Sequence, residues 1–471
     1  MSIATLVNRV CTTPSAPIAA PALPPACRGG EPATFAPPRT VADGLRVPTV
    51  HGTSVDYANF DHAASTPALE SVKTAVDTAL RTYSSVHRGN GYASTVTSAW
   101  YEQARQQVGS FVGARQGDLV IFTRNTTDSL NLLARSLPAD TTVFVFESEH
   151  HAALLPWEAD RTVRLPVPTS HGDAVALLED ALRQAPQGPR LVAVTGASNV
   201  TGEIWPVARI AEVAKRYAAR VALDAAQLAP HRRLDIAGLG VDYVAFSGHK
   251  VYAPFGAGAL VGRGDWLADA PPYLAGGGAT AEVGPGYVVW NDGAARHEAG
   301  SPNVIGTIAL AAACAAIDEH RVAIEAHEEE LAGRLRAGLA AIDAVRTYSV
   351  FAPGGDRVGV ACFTVDGLDS SLVSAALSAE HGIGVRDGKF CAHLLVGSLL
   401  ARRNAEAVAG PLPATAIRVS VGLANTVEHV DRLLAAVASL ASDGPGVEYE
   451  RTPSGFSPAH DCRELSPARP W

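Results

Sequence analysis

Short runs of apolar residues alternate with helix-like stretches through the middle of the chain. The runs with strand character cover residues 119–122, 143–146, 191–194, 221–223, 243–246 and 258–261. The stretches among them, such as 100–112 and 207–219, have the composition and apolar spacing of helices. Strands whose residues are nearly all apolar, instead of alternating between apolar and polar, are typically buried on both faces. The pattern therefore predicts an α/β fold, with a mostly parallel sheet covered by helices.

The pattern changes near residue 305. The candidate elements beyond this point are a long Ala-rich helical region, two strands and a closing helix, at 307–340, 358–365, 417–421 and 427–440. We therefore predict a large domain at 46–305 and a smaller α+β domain at 306–441. The flanking segments, 1–45 and 442–471, are compositionally biased and rich in Pro, and we expect both to be disordered tails.

Composition and charge narrow the classes of function. Of the 471 residues, 47% are hydrophobic and 18% are charged, which suits a soluble globular protein with ample core. The formal net charge of -9 argues against a broad basic surface for nucleic acid. No apolar run approaches the ~20 residues that span a bilayer, and the N-terminal stretch lacks the compact apolar segment of a secretory signal. We expect a cytoplasmic protein that binds small molecules and proteins, with no nucleic acid and no membrane.

A lysine and an aspartate stand at the ends of two apolar runs. Lys250 closes the turn Ser247-Gly248-His249-Lys250, and Asp224 follows the run 221–223. A lysine that a buried strand delivers into a turn loses hydration, and the pKa of its amine falls toward the range where it attacks carbonyls. Pyridoxal phosphate needs such an amine for its aldehyde and a carboxylate for its ring nitrogen. The two residues together therefore predict a site for this cofactor.

Other polar groups also follow predicted strands, where ligands gather in an open parallel sheet. The turn around Asn125 and Thr126 opens a helix, so these residues either cap that helix or bind a phosphate, and the two roles are compatible. His150 and its neighbour His151 have no cluster of carboxylates or cysteines beside them, and the six cysteines show no metal-type spacing. We therefore expect no metal and interpret one imidazole as a partner for a flat ring.

Taken in order, these segments resemble the class V, fold-type I enzymes that depend on pyridoxal phosphate, and the cysteine desulfurase and selenocysteine lyase branch fits best. The resemblance extends from about residue 57 to about residue 440. It rests on the segments Tyr57-Ala58-Asn59-Phe60-Asp61-His62-Ala63-Ala64-Ser65-Thr66-Pro67, Glu149-His150-His151-Ala152, Ser198-Asn199-Val200-Thr201-Gly202, Asp224-Ala225-Ala226-Gln227, Ser247-Gly248-His249-Lys250 and Glu298-Ala299-Gly300-Ser301-Pro302-Asn303. It implies a large domain with a seven-stranded type of sheet that binds the cofactor.

The resemblance also implies roles for individual residues. Lys250, Cys391 and His150 would be catalytic: Lys250 would hold the cofactor aldehyde as a Schiff base, and His150 would stack on the ring. The implied cofactor-binding residues are Thr126, Thr127, His150, Asn199, Asp224, Gln227, Ser247, His249, Lys250 and Ser301. The implied substrate-binding residues are Asn199, Arg386, Arg418 and His87, with Arg88 in the same segment as His87. A residue at the Ser301 position reaches the phosphate of the neighbouring subunit, so the resemblance implies a homodimer with shared active sites.

Cys391 determines which reaction is implied. It occupies the position of the family's nucleophile, which takes sulfur from L-cysteine as a persulfide while L-alanine leaves. The resemblance implies a protein sulfur acceptor that would then remove the persulfide sulfur. The segment departs from the family pattern, because Lys389 and Phe390 replace two histidines and Leu394 replaces a Pro. Two alternatives therefore stay open. One is a class V aminotransferase, epimerase or carbon–sulfur lyase that acts on another amino acid, and the other is a non-catalytic scaffold that binds pyridoxal phosphate.

Overall fold

The computed structural model describes residues 36–87, 89–351, 354–404, 413–453 and 455–471. Numbered along the chain, the strands of these ranges are β1 (Arg46–Pro48), β2 (Ser54–Asp56), β3 (Ala58–Asn59), β4 (Asp118–Thr123), β5 (Thr142–Phe146), β6 (Thr162–Leu165), β7 (Arg190–Thr195), β8 (Arg220–Asp224), β9 (Tyr243–Ser247), β10 (Gly258–Arg263), β11 (Thr280–Gly284), β12 (Tyr287–Trp290), β13 (Val345–Thr347), β14 (Val360–Val365), β15 (Ile383–Gly384), β16 (Arg386–Gly388), β17 (Ala416–Ser420), β18 (Tyr449–Thr452) and β19 (Gly455–Pro458). The helices are α1 (Glu70–Leu80), α2 (Tyr92–Phe111), α3 (Thr126–Arg135), α4 (His151–Leu154), α5 (His171–Gln184), α6 (Val207–Arg216), α7 (Gly264–Asp269), α8 (Val304–Glu319), α9 (Arg321–Ala340), α10 (Ser370–His381), α11 (His393–Asn404) and α12 (Val427–Asp443). Short 3-10 turns cover Ala159–Arg161, Gly248–Lys250 and Gly293–His297. Among these described segments, no helix combines the length and apolarity that a bilayer crossing requires.

The central sheet has seven strands in the order β4-β10-β9-β8-β7-β5-β6. β10 runs antiparallel to both of its neighbours, and the other pairs are parallel. β7 and β9 are buried along their whole length, as their apolar sequences predicted. The predicted α/β fold with a mostly parallel sheet is therefore confirmed. The prediction missed β6, because this edge strand reads Thr-Val-Arg-Leu and mixes polar with apolar positions.

Helices cover both faces of this sheet because successive strand residues point to opposite sides. Val192 and Val194 of β7 pack into a cluster that includes buried residues of α2, α5, α6 and α8. Leu191 and Ala193 of the same strand pack into a second cluster, which includes buried residues of α3 and α7. The two helical layers cover the faces of the sheet and leave the ends of its strands uncovered.

A smaller sheet, in the order β13-β14-β17-β16, follows in the chain. Its core joins apolar residues of β14 and β17 to those of α9, α10 and α12. The helical region predicted at 307–340 is two helices, since the backbone departs from helical geometry at His320 and separates α8 from α9. By their contacts, residues Pro37–Trp471 form one unit. The domain boundary near residue 305 remains a prediction.

The structure differs from the prediction of a disordered segment at 442–471. α12 extends to Asp443, and β18 and β19 form an antiparallel hairpin. Glu380 of α10 accepts hydrogen bonds from Tyr449 Oη at 3.0 Å and from the Gly446 amide at 2.9 Å. These tertiary contacts are not visible in the composition from which disorder was predicted. At the other end, residues 1–35 of the predicted 1–45 tail lie outside the described residues, and Thr40 pairs with Leu69.

Glu203 joins the large sheet to the segment before β14. Its carboxylate is buried and accepts hydrogen bonds from the Thr201 hydroxyl at 2.7 Å, from the Val350 and Phe351 amides at 2.6 and 2.8 Å, and from Arg357 at 3.1 Å. A buried carboxylate with this many donors stabilises the arrangement, and removing it leaves the donors without partners.

The substitution Glu203→Ala is expected to lower the free energy of unfolding by about 3–5 kcal/mol, because it leaves the largely buried Arg357 charge without its carboxylate partner and the Val350 and Phe351 amides without acceptors. Urea denaturation followed by circular dichroism measures the change. Glu212→Ala, on the exposed side of α6, is the matched control and is expected to stay within about 0.5 kcal/mol of the original protein. A loss below about 1 kcal/mol for Glu203→Ala would contradict this interpretation.

Candidate active site

The predicted lysine lies at the end of a buried strand, as the sequence indicated. β9 ends at Ser247, and the 3-10 turn Gly248–Lys250 carries Lys250 into a cavity of about 300 Å³. Desolvation by burial lowers the pKa of the Lys250 amine to about 8, although the nearby Asp224 carboxylate opposes this shift. A substantial fraction of the amine is therefore neutral, and nucleophilic, near pH 8.

Asp224 ends β8, the strand next to β9, and is buried. Burial raises the pKa of its carboxyl, while Lys250 and a 2.9 Å hydrogen bond from the Ala226 amide oppose that shift. Glu149, which the sequence analysis did not assign, lies in the same region and accepts a 3.1 Å hydrogen bond from the Thr195 amide. Burial and the charge of Asp224 raise the pKa of Glu149 well above its usual range. Asp224 thus lies on the wall of the cavity, and the buried Glu149 near it favours its protonated form.

The N-terminus of α3 forms another wall. Asn125 caps this helix by accepting a hydrogen bond from the Asp128 amide. The Thr126 amide and hydroxyl lie 2.8 and 2.7 Å from the Ser247 hydroxyl, which joins the helix to the lysine turn. Thr127 and His249 line the same cavity. The backbone amides of a helix N-terminus, with hydroxyl groups beside them, suit an anion such as a phosphate.

His150 is held as a neutral imidazole at the cavity. Its Nδ1 accepts a 3.0 Å hydrogen bond from the Ala152 amide, which assigns the remaining proton to Nε2. Burial, with further contributions from the charges of Lys250, His151 and Arg418, lowers the pKa of His150 to about 3. The ring is therefore uncharged at neutral pH and can lie against a flat heteroaromatic group without adding a positive charge.

Cys391 lies on a loop that is held by its carbonyl groups. The Asn199 side chain donates to the Phe390 carbonyl at 2.8 Å, and the His151 amide donates to the Cys391 carbonyl at 2.8 Å. Phe390 and Cys391 both have a φ of 53°, in the left-handed region that costs a residue with a side chain about 1 kcal/mol or more. Cys391 is exposed and lines the cavity, so the loop presents its thiol to the site.

The remaining predicted residues divide into two groups. Gln227, Arg386 and Arg418 line the cavity, and the Gln227 amide donates to the Ala63 carbonyl at 2.7 Å. The structure therefore brings most of the predicted site residues to one cavity. They are Thr126, Thr127, His150, Asn199, Asp224, Gln227, Ser247, His249, Lys250, Arg386, Cys391 and Arg418. Asn199 and Gln227 are both predicted to contact the cofactor. In the structure, the side-chain amide of each residue donates a hydrogen bond to a backbone carbonyl.

His87 and Ser301 are not among the residues that line this cavity. His87 lies beside another depression, of about 800 Å³, where its Nε2 is 2.9 Å from Glu102. Ser301 is exposed between Gly300 and Pro302, which line that same depression. Within one chain, these two residues are therefore separate from the lysine site. Arg88 lies outside the described residues.

Sequence reasoning also missed Asp61, whose carboxylate pairs with Arg418 at 2.8 Å. The residue stands in the segment 57–67, which was recognised as a motif but given no role. Among the described residues, no group of three or more His, Cys, Asp or Glu side chains is arranged to hold a metal ion.

Comparison with known proteins decides the family. The model of the aminotransferase class V family matches residues 58–433. This chain belongs to that family. It is 33% identical over 406 residues to a probable cysteine desulfurase of Vibrio cholerae, covering 82% of this chain and 94% of that protein. It is 32% identical over 412 residues to a cysteine desulfurase of Haloferax volcanii, and the match covers 85% of this chain and 93% of that protein. The predicted family is therefore confirmed.

Solved structures of family members have the same fold. The apo structure of the cysteine desulfurase from Thermococcus onnurineus NA1 superposes with a TM-score of 0.72 at 30% identity, covering 82% of this chain and 94% of that one. The cysteine desulfurase CsdA from Escherichia coli superposes with a TM-score of 0.68, also at 30% identity, and the match covers 81% of this chain and 94% of that one. The class V family and its fold-type I architecture thus account for most of the described chain.

The lowered pKa of Lys250 gives a direct test of the site. In protein freed of cofactor, labelling of Lys250 by a small amine reagent is expected to reach half its maximal rate near pH 8, below the ~10.4 of a solvated lysine. Because the Asp224 carboxylate favours the ammonium form, Asp224→Asn is expected to lower that midpoint further. Peptide mapping by mass spectrometry follows each lysine separately.

Two controls accompany this titration. Lys215 is exposed on α6 and reports how the reagent itself depends on pH in the same samples. Asp180→Asn removes an exposed carboxylate of α5 that pairs with Arg183 and does not line the cavity, and it is expected to leave the Lys250 midpoint unchanged. A Lys250 midpoint at or above pH 10 would contradict the desolvated environment.

Proposed function

We propose that this protein is a cysteine desulfurase that uses pyridoxal phosphate, takes sulfur from L-cysteine, and releases L-alanine. The observation that carries the proposal is the convergence of Lys250, Arg418 and Cys391 on one cavity in a chain of this family. An amine, a carboxylate receptor and a thiol are the three groups that this reaction needs.

The residues of the cavity fit pyridoxal phosphate by their chemistry. Lys250 supplies the amine for the aldehyde, Asp224 supplies a buried carboxylate for the ring nitrogen, and Thr126 and Thr127 open a helix whose amides suit the phosphate. Ser247, His249 and Gln227 would complete the contacts, with the neutral His150 ring against the cofactor. When bound, the cofactor stabilises negative charge at the substrate α-carbon.

Lys250 is suited to move the α-proton. Its amine has a pKa of about 8, so it can accept a proton as the neutral base and return it as the ammonium within the pH range of the cytoplasm. Arg386 and Arg418 would bind the substrate carboxylate, since a guanidinium offers paired donors to a carboxylate. Asn199 would contact the substrate, and its side chain also holds the Cys391 loop by donating to the Phe390 carbonyl.

Cys391 would carry the sulfur. Its thiolate attacks the sulfur of the substrate, a sulfur–sulfur bond forms, and the carbon–sulfur bond of the substrate breaks. The three-carbon remainder takes up protons and leaves as L-alanine, while Cys391 keeps the sulfur as a persulfide. The sum is balanced, because L-cysteine and the Cys391 thiol give L-alanine and the Cys391 persulfide. A protein sulfur acceptor would then remove the sulfur from the exposed loop.

The proposal includes a homodimer. Ser301 and His87 lie away from the cavity within one chain, and a second subunit would be needed to bring them to it. The family resemblance gives Ser301 a place at the phosphate of the neighbouring subunit. A cytoplasmic location, inferred from the sequence, belongs to the same proposal.

Two variants test the proposed chemistry. Cys391→Ala is expected to lower persulfide and alanine formation from L-cysteine by at least ~10²-fold, while the visible absorbance of the bound cofactor is kept. Lys250→Ala is expected to lose both the activity and the covalently held cofactor, because no other amine lines the cavity among the described residues. Alanine is measured by chromatography and the persulfide by alkylation and mass spectrometry.

Cys462→Ala is the matched control, because Cys462 is also exposed but lies near Val50. It is expected to keep full activity. Undiminished alanine formation by Cys391→Ala would reject the nucleophile role. Turnover of another amino acid without alanine formation from L-cysteine would favour the alternative of a class V aminotransferase, epimerase or carbon–sulfur lyase. If the original protein turns over no amino acid at all, the non-catalytic alternative is favoured instead.

A further inference from the structure

Two buried carboxyl groups, Glu149 and Glu203, have opposite surroundings. Both side chains are almost completely buried. Glu203 accepts hydrogen bonds from a hydroxyl, two backbone amides and the Arg357 guanidinium, so its negative charge is compensated. Glu149 accepts one hydrogen bond, from the Thr195 amide at 3.1 Å, and its Oε2 is buried with no hydrogen-bond partner among the described residues. The two surroundings therefore favour different charge states.

A further buried carboxyl group lies near Glu149. Thr195, which binds Glu149, ends β7 and pairs with Asp224 in the parallel register of β7 and β8. Neighbouring strands are about 4.8 Å apart, so the residue that binds Glu149 is one strand spacing from Asp224. Asp224 has two partners that favour its charge, the Lys250 amine and the Ala226 amide at 2.9 Å. Two carboxyl groups this close do not both ionise readily when one of them lacks such partners.

The cost of burial assigns the proton of this pair to Glu149. A buried carboxylate with one amide donor and a like charge nearby costs far more free energy than a neutral carboxyl group with one unpaired oxygen. In agreement, burial and the charge of Asp224 raise the pKa of Glu149 well above its usual range. Asp224 is the one acid that lines the cavity among the described residues. The negative charge of the pair therefore lies on Asp224.

The charge of Glu149 matters to Lys250 as well as to Asp224. The Asp224 carboxylate already favours the ammonium form of Lys250. A second carboxylate would favour the ammonium further and would reduce the fraction of neutral amine. It would also favour protonation of Asp224, whose charge the ring nitrogen of the cofactor needs. A neutral Glu149 avoids both effects and still offers an oxygen to the Thr195 amide.

We propose that Glu149 is a positioning residue of the cofactor site, which stays uncharged so that the negative charge near Lys250 stays on Asp224, and which holds the end of β7 beside Asp224. The position requires a neutral oxygen acceptor of this size, and glutamine meets that requirement. The role rests on the proposed function, because the cofactor is the group that needs Asp224 charged. Glu149 directly precedes His150, so one loop would serve both the face of the ring and the acid at its nitrogen.

Glu149→Gln separates a neutral acid from a charged one, because glutamine has nearly the same shape, keeps an oxygen acceptor and cannot ionise. The labelling of Lys250 is titrated on the full chain freed of cofactor. Glu149→Gln is expected to leave the midpoint near pH 8, whereas Asp224→Asn lowers it. A midpoint that falls as far in Glu149→Gln as in Asp224→Asn overturns the inference, because Glu149 then carries a charge.

Infrared difference spectra report the proton directly. The spectrum of the original protein minus that of Glu149→Gln, at neutral pH, is expected to contain the carbonyl band of a protonated carboxyl group. The bands of a carboxylate in its place would overturn the inference.

Glu149→Leu tests the hydrogen bond, because leucine is neutral and of similar size but leaves the Thr195 amide without an acceptor. Pyridoxal phosphate is added to the full chain, and its apparent dissociation constant is measured from the visible absorbance. The constant is expected to rise about tenfold in Glu149→Leu and to stay within about twofold of the original in Glu149→Gln. Equal constants for the two variants would overturn the positioning role.

Glu203→Gln is the matched control, because Glu203 is also buried but pairs with the Arg357 guanidinium. It is expected to lower the urea midpoint of unfolding and to leave the Lys250 midpoint unchanged, since it removes a compensated charge. Glu149→Gln is expected to keep the urea midpoint of the original protein. If both substitutions lower it alike, or if Glu149→Gln does not fold, Glu149 is ionised and the inference is overturned.

The infrared and labelling measurements use only the glutamine variant, so a leucine variant that does not fold leaves the inference testable. Both measurements are made without cofactor and therefore test the charge of Glu149 alone. If the original protein binds no pyridoxal phosphate, the proposed function fails, whereas the midpoints for Lys250 still decide whether Glu149 is neutral.

Discussion

Desolvation of the Lys250 amine is the constraint on which the site depends. The apolar strands β8 and β9 end side by side, and they bring Asp224 and Lys250 to the same edge of the sheet. The same burial that lowers the pKa of the amine raises the pKa of the carboxyl. Each charge therefore depends on the other, and the fold places a reactive, partly buried amine near a buried acid. The cofactor assignment follows from this pair.

The substrate side of the cavity depends on contacts between distant parts of the chain. Asn199 holds the Phe390 carbonyl, Arg418 holds the Asn199 carbonyl, and Asp61 holds Arg418. This series links the loop of Cys391 to the core of the small sheet. The left-handed backbone of Phe390 and Cys391 persists because the surrounding hydrogen bonds determine it. The thiol of Cys391, the proposed nucleophile, is thus carried by a loop that hydrogen bonds hold in place.

The sequence predicted those features that depend on local patterns. The central strands and the residues at their ends, such as Asp224 and Lys250, follow from apolar runs that end in polar turns. It did not predict the Asp61 pairing or the contact between Asn199 and Phe390, because these join residues far apart in the chain. The edge strand β6, the break at His320 and the hairpin of β18 and β19 were missed for a similar reason, since tertiary packing overrides weak local preference. The family resemblance implied a place for Ser301 at the neighbouring subunit, which agrees with its separation from the cavity within one chain, whereas no apolar or polar pattern indicated where His87 lies.

Reduction with borohydride tests the central claim most directly. The chain contains only four lysines, Lys73, Lys215, Lys250 and Lys389, so peptide mapping can account for all of them. Purified protein that has taken up pyridoxal phosphate is reduced, digested and analysed by mass spectrometry. The account predicts one stable cofactor adduct, on Lys250. An adduct on another lysine, or no adduct on a protein that remains folded, would contradict it.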